Sequence, residues 1–220
     1  MRFFYPILFF FIVYLSFILW GYSFLYIWMK PFLIPALLFF YLINIYSRPQ
    51  LKIIGALLLS AAGDSLLMID GPNFFIFGLV AFLFAHVLYV FIFKSFLKRL
   101  TINRLILICS LFVVLYYVFF MRFLWSDLGE MQIPVLLYAF VISMMLWMSI
   151  QVVNSLAISG RYILLGAFFF VLSDSLLSIQ LFHTDFYMAH FFVMLTYITA
   201  QFLLVYGIIH VETLKHIISD

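Results

Sequence analysis

The sequence FFIFGLVAFLFAHVLYVFIF, residues 74–93, runs for 20 residues without a charged side chain. A helix of about 20 apolar residues is long enough to cross the hydrocarbon core of a bilayer. The whole chain has this character, because 69% of its 220 residues are hydrophobic and only 9% are charged. A soluble domain has about a quarter charged residues, and a disordered chain has few aromatic residues. With 31 Phe and 14 Tyr residues, the composition therefore predicts a polytopic membrane protein.

Polar segments divide the chain into apolar stretches. One helix over residues 1–46 would be about 69 Å long at 1.5 Å per residue, so this region is expected to form two. We predict an all-α bundle of eight transmembrane helices that forms a single transmembrane domain, residues 1–220. The predicted helices cover residues 3–22, 31–47, 51–69, 73–93, 103–121, 131–151, 161–181 and 186–209.

The positions of the basic residues predict the orientation of this bundle. With eight helices, one side of the membrane receives only Lys30 and Arg122. The side that holds both termini receives the others, namely Arg2, Arg48, Lys52, Lys94, Lys98, Arg99, Arg104, Arg161 and Lys215. Cytoplasmic loops are enriched in Lys and Arg. Both termini are therefore predicted to be cytoplasmic, and the location is predicted to be the cell (inner) membrane of a bacterium, with multiple passes.

Two segments of the chain resemble each other. DSLLMI, residues 64–69, closes the third predicted helix, and DSLLSI, residues 174–179, closes the seventh. An Ala-His pair follows in the next helix in both cases. This pattern suggests two parallel four-helix halves, and the alternative is a local resemblance without duplication.

Two acidic residues, Asp64 and Asp174, fall inside predicted helices. An ionised Asp at the centre of a transmembrane helix costs about 2.5–3.5 kcal/mol on insertion scales, so such residues usually face the bundle interior and mark function. Each Asp lies about five residues, or ~8 Å, from the outer end of its helix. We expect both in a cavity open to the outer half of the bilayer. The alternative is a structural hydrogen bond between helices.

Other polar residues repeat at helical spacing on neighbouring helices. Together with the two carboxyls, these residues are suited to acid–base chemistry on an uncharged bond. For each one, the alternative is an ordinary packing role, and His190 is expected to be a satisfied interfacial group. The candidates are His86 and Tyr89 in the fourth helix, Tyr138 in the sixth, Ser173 in the seventh, and Tyr197 and Gln201 in the eighth.

The His and Asp residues lack the spacing of a zinc site. Cys109 is the single cysteine, so a cysteine-based metal site is excluded. We predict no metal.

The chain resembles the lysoplasmalogenase family of eight-span membrane proteins, the YhhN-type bacterial proteins and their animal relatives. The resemblance covers almost the whole chain, and the G-D-x-x-L and S-D-S elements are its most specific parts. It rests on the order of Lys30-Pro31, Gly63-Asp64 with Leu67, Phe77-Gly78 with Phe82, His86 and Tyr89, Tyr138, Gly166 with Phe170, Ser173-Asp174-Ser175, and Tyr197 with Gln201.

This resemblance implies hydrolysis of the vinyl ether bond of lysoplasmalogens. The products would be a fatty aldehyde and a glycerophospho-ethanolamine or -choline. It also implies that no cofactor is needed and that Asp64 and Asp174 carry the catalysis. The expected partners are a lysophospholipid substrate and water within the lipid bilayer. Nucleic acid is not an expected partner, and the oligomeric state is left open.

The chemistry of a vinyl ether agrees with this assignment. The bond opens when its β-carbon is protonated, which leaves an oxocarbenium ion that water captures. One carboxyl held neutral and one held negative supply both needs, and the sequence leaves open which Asp has which role. His86, Tyr89, Tyr138, Ser173, Tyr197 and Gln201 are predicted to orient the substrate and water.

Lys30 is predicted to pair with the substrate phosphate. The alternative is a snorkelling side chain at a helix end.

A small proton-coupled transporter or channel is the alternative function, because paired intramembrane acids also occur in such proteins. A third alternative is a ligand-binding or assembly subunit, which would bind the lipid without turning it over.

Overall fold

The computed structural model describes residues 1–45 and 48–219, except for the side chains of residues 157 and 215–219. In this part of the chain the fold is helical, without strands. The last two residues of the second predicted helix, 46 and 47, and the Lys215 side chain lie outside the described residues. The helices are α1 (Phe4–Leu19), α2 (Ser23–Asn44), α3 (Leu51–Leu66), α4 (Pro72–Phe96), α5 (Arg104–Leu124), α6 (Gly129–Leu156), α7 (Ile158–His183) and α8 (Ala189–Ser219).

Six of these helices, α2 and α4–α8, are long and apolar enough to cross a membrane, so the chain is a multi-pass membrane protein. Helices α1 and α3 have 16 residues each, or about 24 Å. The hydrocarbon core of a bilayer is about 30 Å thick. The helices of the described residues confirm the predicted all-helical bundle. Eight spans, cytoplasmic termini and a single domain stay predictions.

Helix α2 begins earlier than predicted. The prediction took Pro31 as the start of the second helix, but the structure is helical from Ser23. A 3₁₀ turn, Lys30–Phe32, carries the chain past the proline without a break. Pro31 stands at the start of this 3₁₀ segment, and the start of a helical segment is the position that tolerates proline. As a result, Lys30 lies inside the second helix and not at its end.

The boundary between α6 and α7 is a tight reversal. Helical backbone continues from Gln132 to Ser178, yet Tyr138 donates a hydrogen bond to Asp174, 36 residues further on. A straight helix would separate these residues by about 54 Å. The chain folds back over residues 153–160, where a Cβ atom at Gly160 would come within 2.7 Å of Val153 Cα. The reversal makes α6 and α7 antiparallel neighbours, as the prediction of two helices required.

Helix α8 lies at the centre of the bundle and α5 at its edge. In the most apolar window of α8, 67% of the residues are buried, compared with 11% in α5. Helix α8 packs against α7, α2 and α1, and α3 packs against α4. Residues near the C-terminal ends of α3 and α7 line one cavity together with α8.

Candidate functional site

A cavity of about 300 Å³ lies between α2, α3, α4, α6, α7 and α8. Its walls are mainly apolar, with side chains such as Leu67, Phe82 and Met194. Six of the predicted site residues line it: Lys30, Asp64, Tyr138, Ser173, Asp174 and Tyr197. The structure therefore brings the two intramembrane carboxyls, 110 residues apart in the chain, into one cavity.

Asp64 is buried, with 5% of its surface exposed. Its Oδ2 atom accepts a hydrogen bond of 2.7 Å from the Tyr197 hydroxyl. Lys30 lies close enough to interact with it electrostatically. The preceding residue is glycine because α4 approaches closely here, and a Cβ at Gly63 would come within 2.6 Å of the Phe82 ring. Asp64 thus sits at a narrow contact between α3 and α4, beside a cation.

Asp174 lines the same cavity from α7 and interacts electrostatically with Asp64. Its Oδ2 atom accepts a hydrogen bond from the Tyr138 hydroxyl. The neighbouring Ser173 donates its hydroxyl hydrogen to the Val193 carbonyl, 3.1 Å away in α8. Each carboxyl therefore has its own tyrosine donor from a different helix.

Two further predicted residues lie behind the cavity wall, in contact with Tyr197. Tyr89 and Gln201 are fully buried. The Tyr89 hydroxyl donates to Gln201 Oε1 at 2.9 Å, and Gln201 Nε2 donates to the Tyr197 hydroxyl at 3.4 Å. Together with the Tyr197–Asp64 hydrogen bond, they form a chain of donors that leads from α4 through α8 to the carboxyl of α3.

His86 is also fully buried, and its ring packs against Tyr138 and Phe170 at centroid distances of 5.4 and 4.5 Å. It does not belong to the cavity lining. This placement makes His86 a support for the Tyr138 ring and not a direct contact for a molecule in the cavity.

The structure adds three residues that sequence reasoning did not select. The expectation that His190 is a satisfied interfacial group is wrong, because it lines the cavity and its buried Nε2 atom has no hydrogen-bond partner among the described residues. Its spacing from Tyr197 and Gln201 was the available signal. Gln180 lines the cavity from a π-helical turn, Ile179–His183, which has no recognisable sequence signal. Tyr14 of α1 is fully buried and interacts electrostatically with Asp64.

A hydrogen bond connects this π-helical turn to the loop after α5. His183 Nδ1 donates to Asp127 Oδ2 at 2.5 Å. The hydrogen bond from His183 holds the pKa of Asp127 below its ordinary value, and Ser126 adds a second hydrogen bond in the same direction. Because residues 180–182 line the cavity, the pair anchors one edge of it.

In the described part of the chain, no group of three or more His, Cys, Asp or Glu side chains is placed to hold a metal ion. The prediction that no metal or cofactor is used stays a prediction.

The fold and the cavity define a class: a multi-pass membrane protein with two intramembrane aspartates facing one largely apolar cavity. The model of the YhhN family matches residues 25–208, and the chain belongs to this family. Lysoplasmalogenase TMEM86B of Rattus norvegicus is 32% identical over 161 residues, which make up 73% of this chain and 63% of the relative. The chain thus spans less than two thirds of the length of that curated relative. No solved structure matches the chain.

Proposed function

We propose that the protein is a lysoplasmalogenase, which hydrolyses the vinyl ether bond of lysoplasmenyl-ethanolamine or -choline. The observation that carries the proposal is that Asp64 and Asp174 line one cavity and interact electrostatically. Membership of the YhhN family and the similarity to a protein named lysoplasmalogenase support it.

The reaction needs the arrangement that the cavity offers. A vinyl ether is cleaved by protonation of its β-carbon followed by addition of water to the resulting oxocarbenium ion. Two carboxyls close together cannot both carry a full charge at low cost, so one stays protonated and the other ionised. The pair then supplies both the acid and the negative counter-charge.

The shape and chemistry of the cavity fit a lysophospholipid. Leucine, phenylalanine, valine and methionine side chains make up more than half of the lining residues and would surround the alkenyl chain. Lys30 lines the same cavity and would pair with the phosphate. A single-chain lipid with its phosphate at Lys30 and its alkenyl chain along the apolar wall would place its vinyl ether bond beside the two carboxyls.

The remaining predicted residues would act at two distances from the substrate. Tyr138 and Tyr197 hold the carboxyls, and Ser173 lines the cavity beside Asp174. His86, Tyr89 and Gln201 would act through those tyrosines. We further propose that the enzyme lies in the inner cell membrane with its termini in the cytoplasm, as the distribution of basic residues favours.

Purified protein in detergent tests this proposal. We expect it to release fatty aldehyde from a lysoplasmalogen without any added cofactor. The matched control is the alkyl ether lipid of the same chain length, which has no double bond to protonate and should stay intact. A transporter or channel needs two compartments and would release no aldehyde in detergent, so that result would contradict the proposal.

A further inference from the structure

We infer that, before the reaction begins, Asp64 is the ionised carboxyl of the site and Asp174 is the protonated one. Tyr197, Gln201 and Tyr89 act through Asp64 as positioning residues. This assignment rests on the proposed function and goes beyond it, because two paired carboxyls alone do not define which one holds the proton. Two observations distinguish the two: the chain of donors behind Tyr197, which has no counterpart behind Tyr138 among the hydrogen bonds of the described residues, and the position of Lys30.

The hydrogen bonds behind Asp64 all point towards it. Gln201 uses its carbonyl oxygen to accept from Tyr89 and its amide nitrogen to donate to Tyr197. The Tyr197 hydroxyl thereby receives one hydrogen and donates its own to Asp64 Oδ2. A carboxylate accepts hydrogen bonds and has none to donate, and donors aimed at a carboxyl favour its ionised form. The chain of three donors therefore ends on Asp64 Oδ2, and an ionised carboxyl is the better acceptor at this position.

The charges around the pair favour the same assignment. The groups that face Asp64 are Tyr14 from α1, Lys30 from α2, Asp174 from α7 and Tyr197 from α8. His190 of α8 interacts electrostatically with Lys30 at the same cavity. An ammonium group beside a carboxyl stabilises the negative charge on that carboxyl. Asp64 is therefore the member of the pair that ionises first.

Asp174 faces different groups. These are Tyr116 from α5, Tyr138 from α6 and the Asp64 carboxyl from α3, with His86 of α4 behind Tyr138. The negative charge on Asp64 opposes a second negative charge on Asp174. Tyr138 donates to Oδ2, so the other oxygen, Oδ1, is the one that can carry the proton. Asp174 is consequently the carboxyl that keeps its proton.

This starting state gives a cycle in which atoms and charges balance. Asp174 transfers its proton to the β-carbon, whose new C–H bond uses the electron pair of the double bond, and Asp64 faces the resulting oxocarbenium ion. Water adds to the α-carbon and gives a proton to Asp64. The product of this addition is a hemiacetal. The hemiacetal hydroxyl then returns a proton to Asp174, the bond to the glycerol oxygen breaks, and this oxygen takes the proton from Asp64. Both carboxyls regain their starting states, and one water is consumed.

Two conservative variants test the assignment through the pH profile of kcat/KM, which reports the essential acid and base of the free enzyme. Tyr197→Phe removes a donor to the Asp64 anion, so Asp64 should ionise at higher pH. We expect the acidic limb to move up by about one pH unit while the alkaline limb stays in place. Tyr138→Phe should instead move the alkaline limb up by about one pH unit, because Asp174 then holds its proton to higher pH.

Tyr89→Phe shortens the donor chain at its far end and should move the acidic limb in the same direction by a smaller amount. A purely structural role for these tyrosines would lower activity equally at every pH, so limbs that do not move overturn the assignment. Limbs that move in the opposite order also overturn it and reverse the two roles, while leaving the proposed function intact. If the wild-type protein releases no aldehyde, the proposed function itself fails.

Discussion

Lys30 shows how strongly the role of one residue depends on its surroundings. In the sequence it precedes a proline and resembles a basic residue at the end of a helix, where a snorkelling side chain needs no further explanation. In the structure it lies inside α2, half-buried, and lines the cavity that holds Asp64. In the proposed site, a cation in that position would both stabilise the Asp64 anion and offer a partner to a phosphate.

Replacing Lys30 therefore has a specific kinetic signature. Lys30→Ala removes a charge-assisted hydrogen bond to the phosphate, so we expect KM to rise about tenfold or more with a smaller change in kcat. Steady-state kinetics on a lysoplasmalogen in detergent give both constants. Arg122→Ala is the matched control, because Arg122 is exposed and does not belong to the cavity lining. An unchanged KM in Lys30→Ala would identify the side chain as a membrane-interface residue without a substrate contact.

The residues of the site differ in how far they could be predicted. Asp64 and Asp174 stand out in the sequence because an acid inside an apolar helix is costly. Helical spacing predicts that Tyr197 and Gln201 share one face of α8, and Tyr197 does meet Asp64, with Gln201 behind it. Tyr138, also selected from the sequence, meets Asp174. Tyr14 could not be selected, since α1 is apolar on all sides and nothing in its spacing marks one tyrosine. Gln180 depends on a π-helical turn, whose geometry has no local sequence signal.

At the scale of elements, the reversal between α6 and α7 determines whether the site exists. It carries Asp174 back beside Tyr138, and it leaves almost no loop between the two helices. The polar residues of this region predicted a boundary but not its sharpness. The close approach of the Gly160 and Val153 backbones explains why the turn needs so few residues.

Adding a methyl group at this turn should be costly. Gly160→Ala places a Cβ within 2.7 Å of Val153 Cα, and backbone cannot move aside as a flexible side chain can. Overpacking of this kind typically costs about 1–3 kcal/mol, so we expect a clear drop in the melting temperature measured in detergent. Ile158→Ala is the control, since Ile158 is 68% exposed and its truncation should change the melting temperature little. Equal melting temperatures for wild type and Gly160→Ala would show that the reversal is looser than described.

At the scale of the whole molecule, the composition was sufficient to predict a multi-pass helical bundle, and charge placement predicted its orientation. The start of α2 was predicted wrongly because a proline was taken as a helix boundary, while a 3₁₀ turn continues the helix through it. The two predicted four-helix halves stay a prediction. The carboxyl hydrogen bonds do not repeat between them, because Asp64 is held by α8 and Asp174 by α6.

The meeting of the two carboxyls was predicted from their matched depth, but depth does not define direction around a helix axis. The six helices that surround the cavity supply this direction. Close packing at Gly63 positions α3 against α4, and the central helix α8 contributes Tyr197 to the Asp64 side of the cavity. The candidate site is therefore a property of the assembled bundle, and its catalytic use depends on both carboxyls at once.

Aldehyde release by the two single variants Asp64→Asn and Asp174→Asn tests most directly whether catalysis depends on both carboxyls. Each should lose at least about 10²-fold in turnover of a lysoplasmalogen, while gel filtration in detergent shows an unchanged folded protein. Asp70→Asn, a change at an exposed acid outside the cavity lining, should keep wild-type turnover. Near wild-type aldehyde release by both Asp64→Asn and Asp174→Asn would contradict the account.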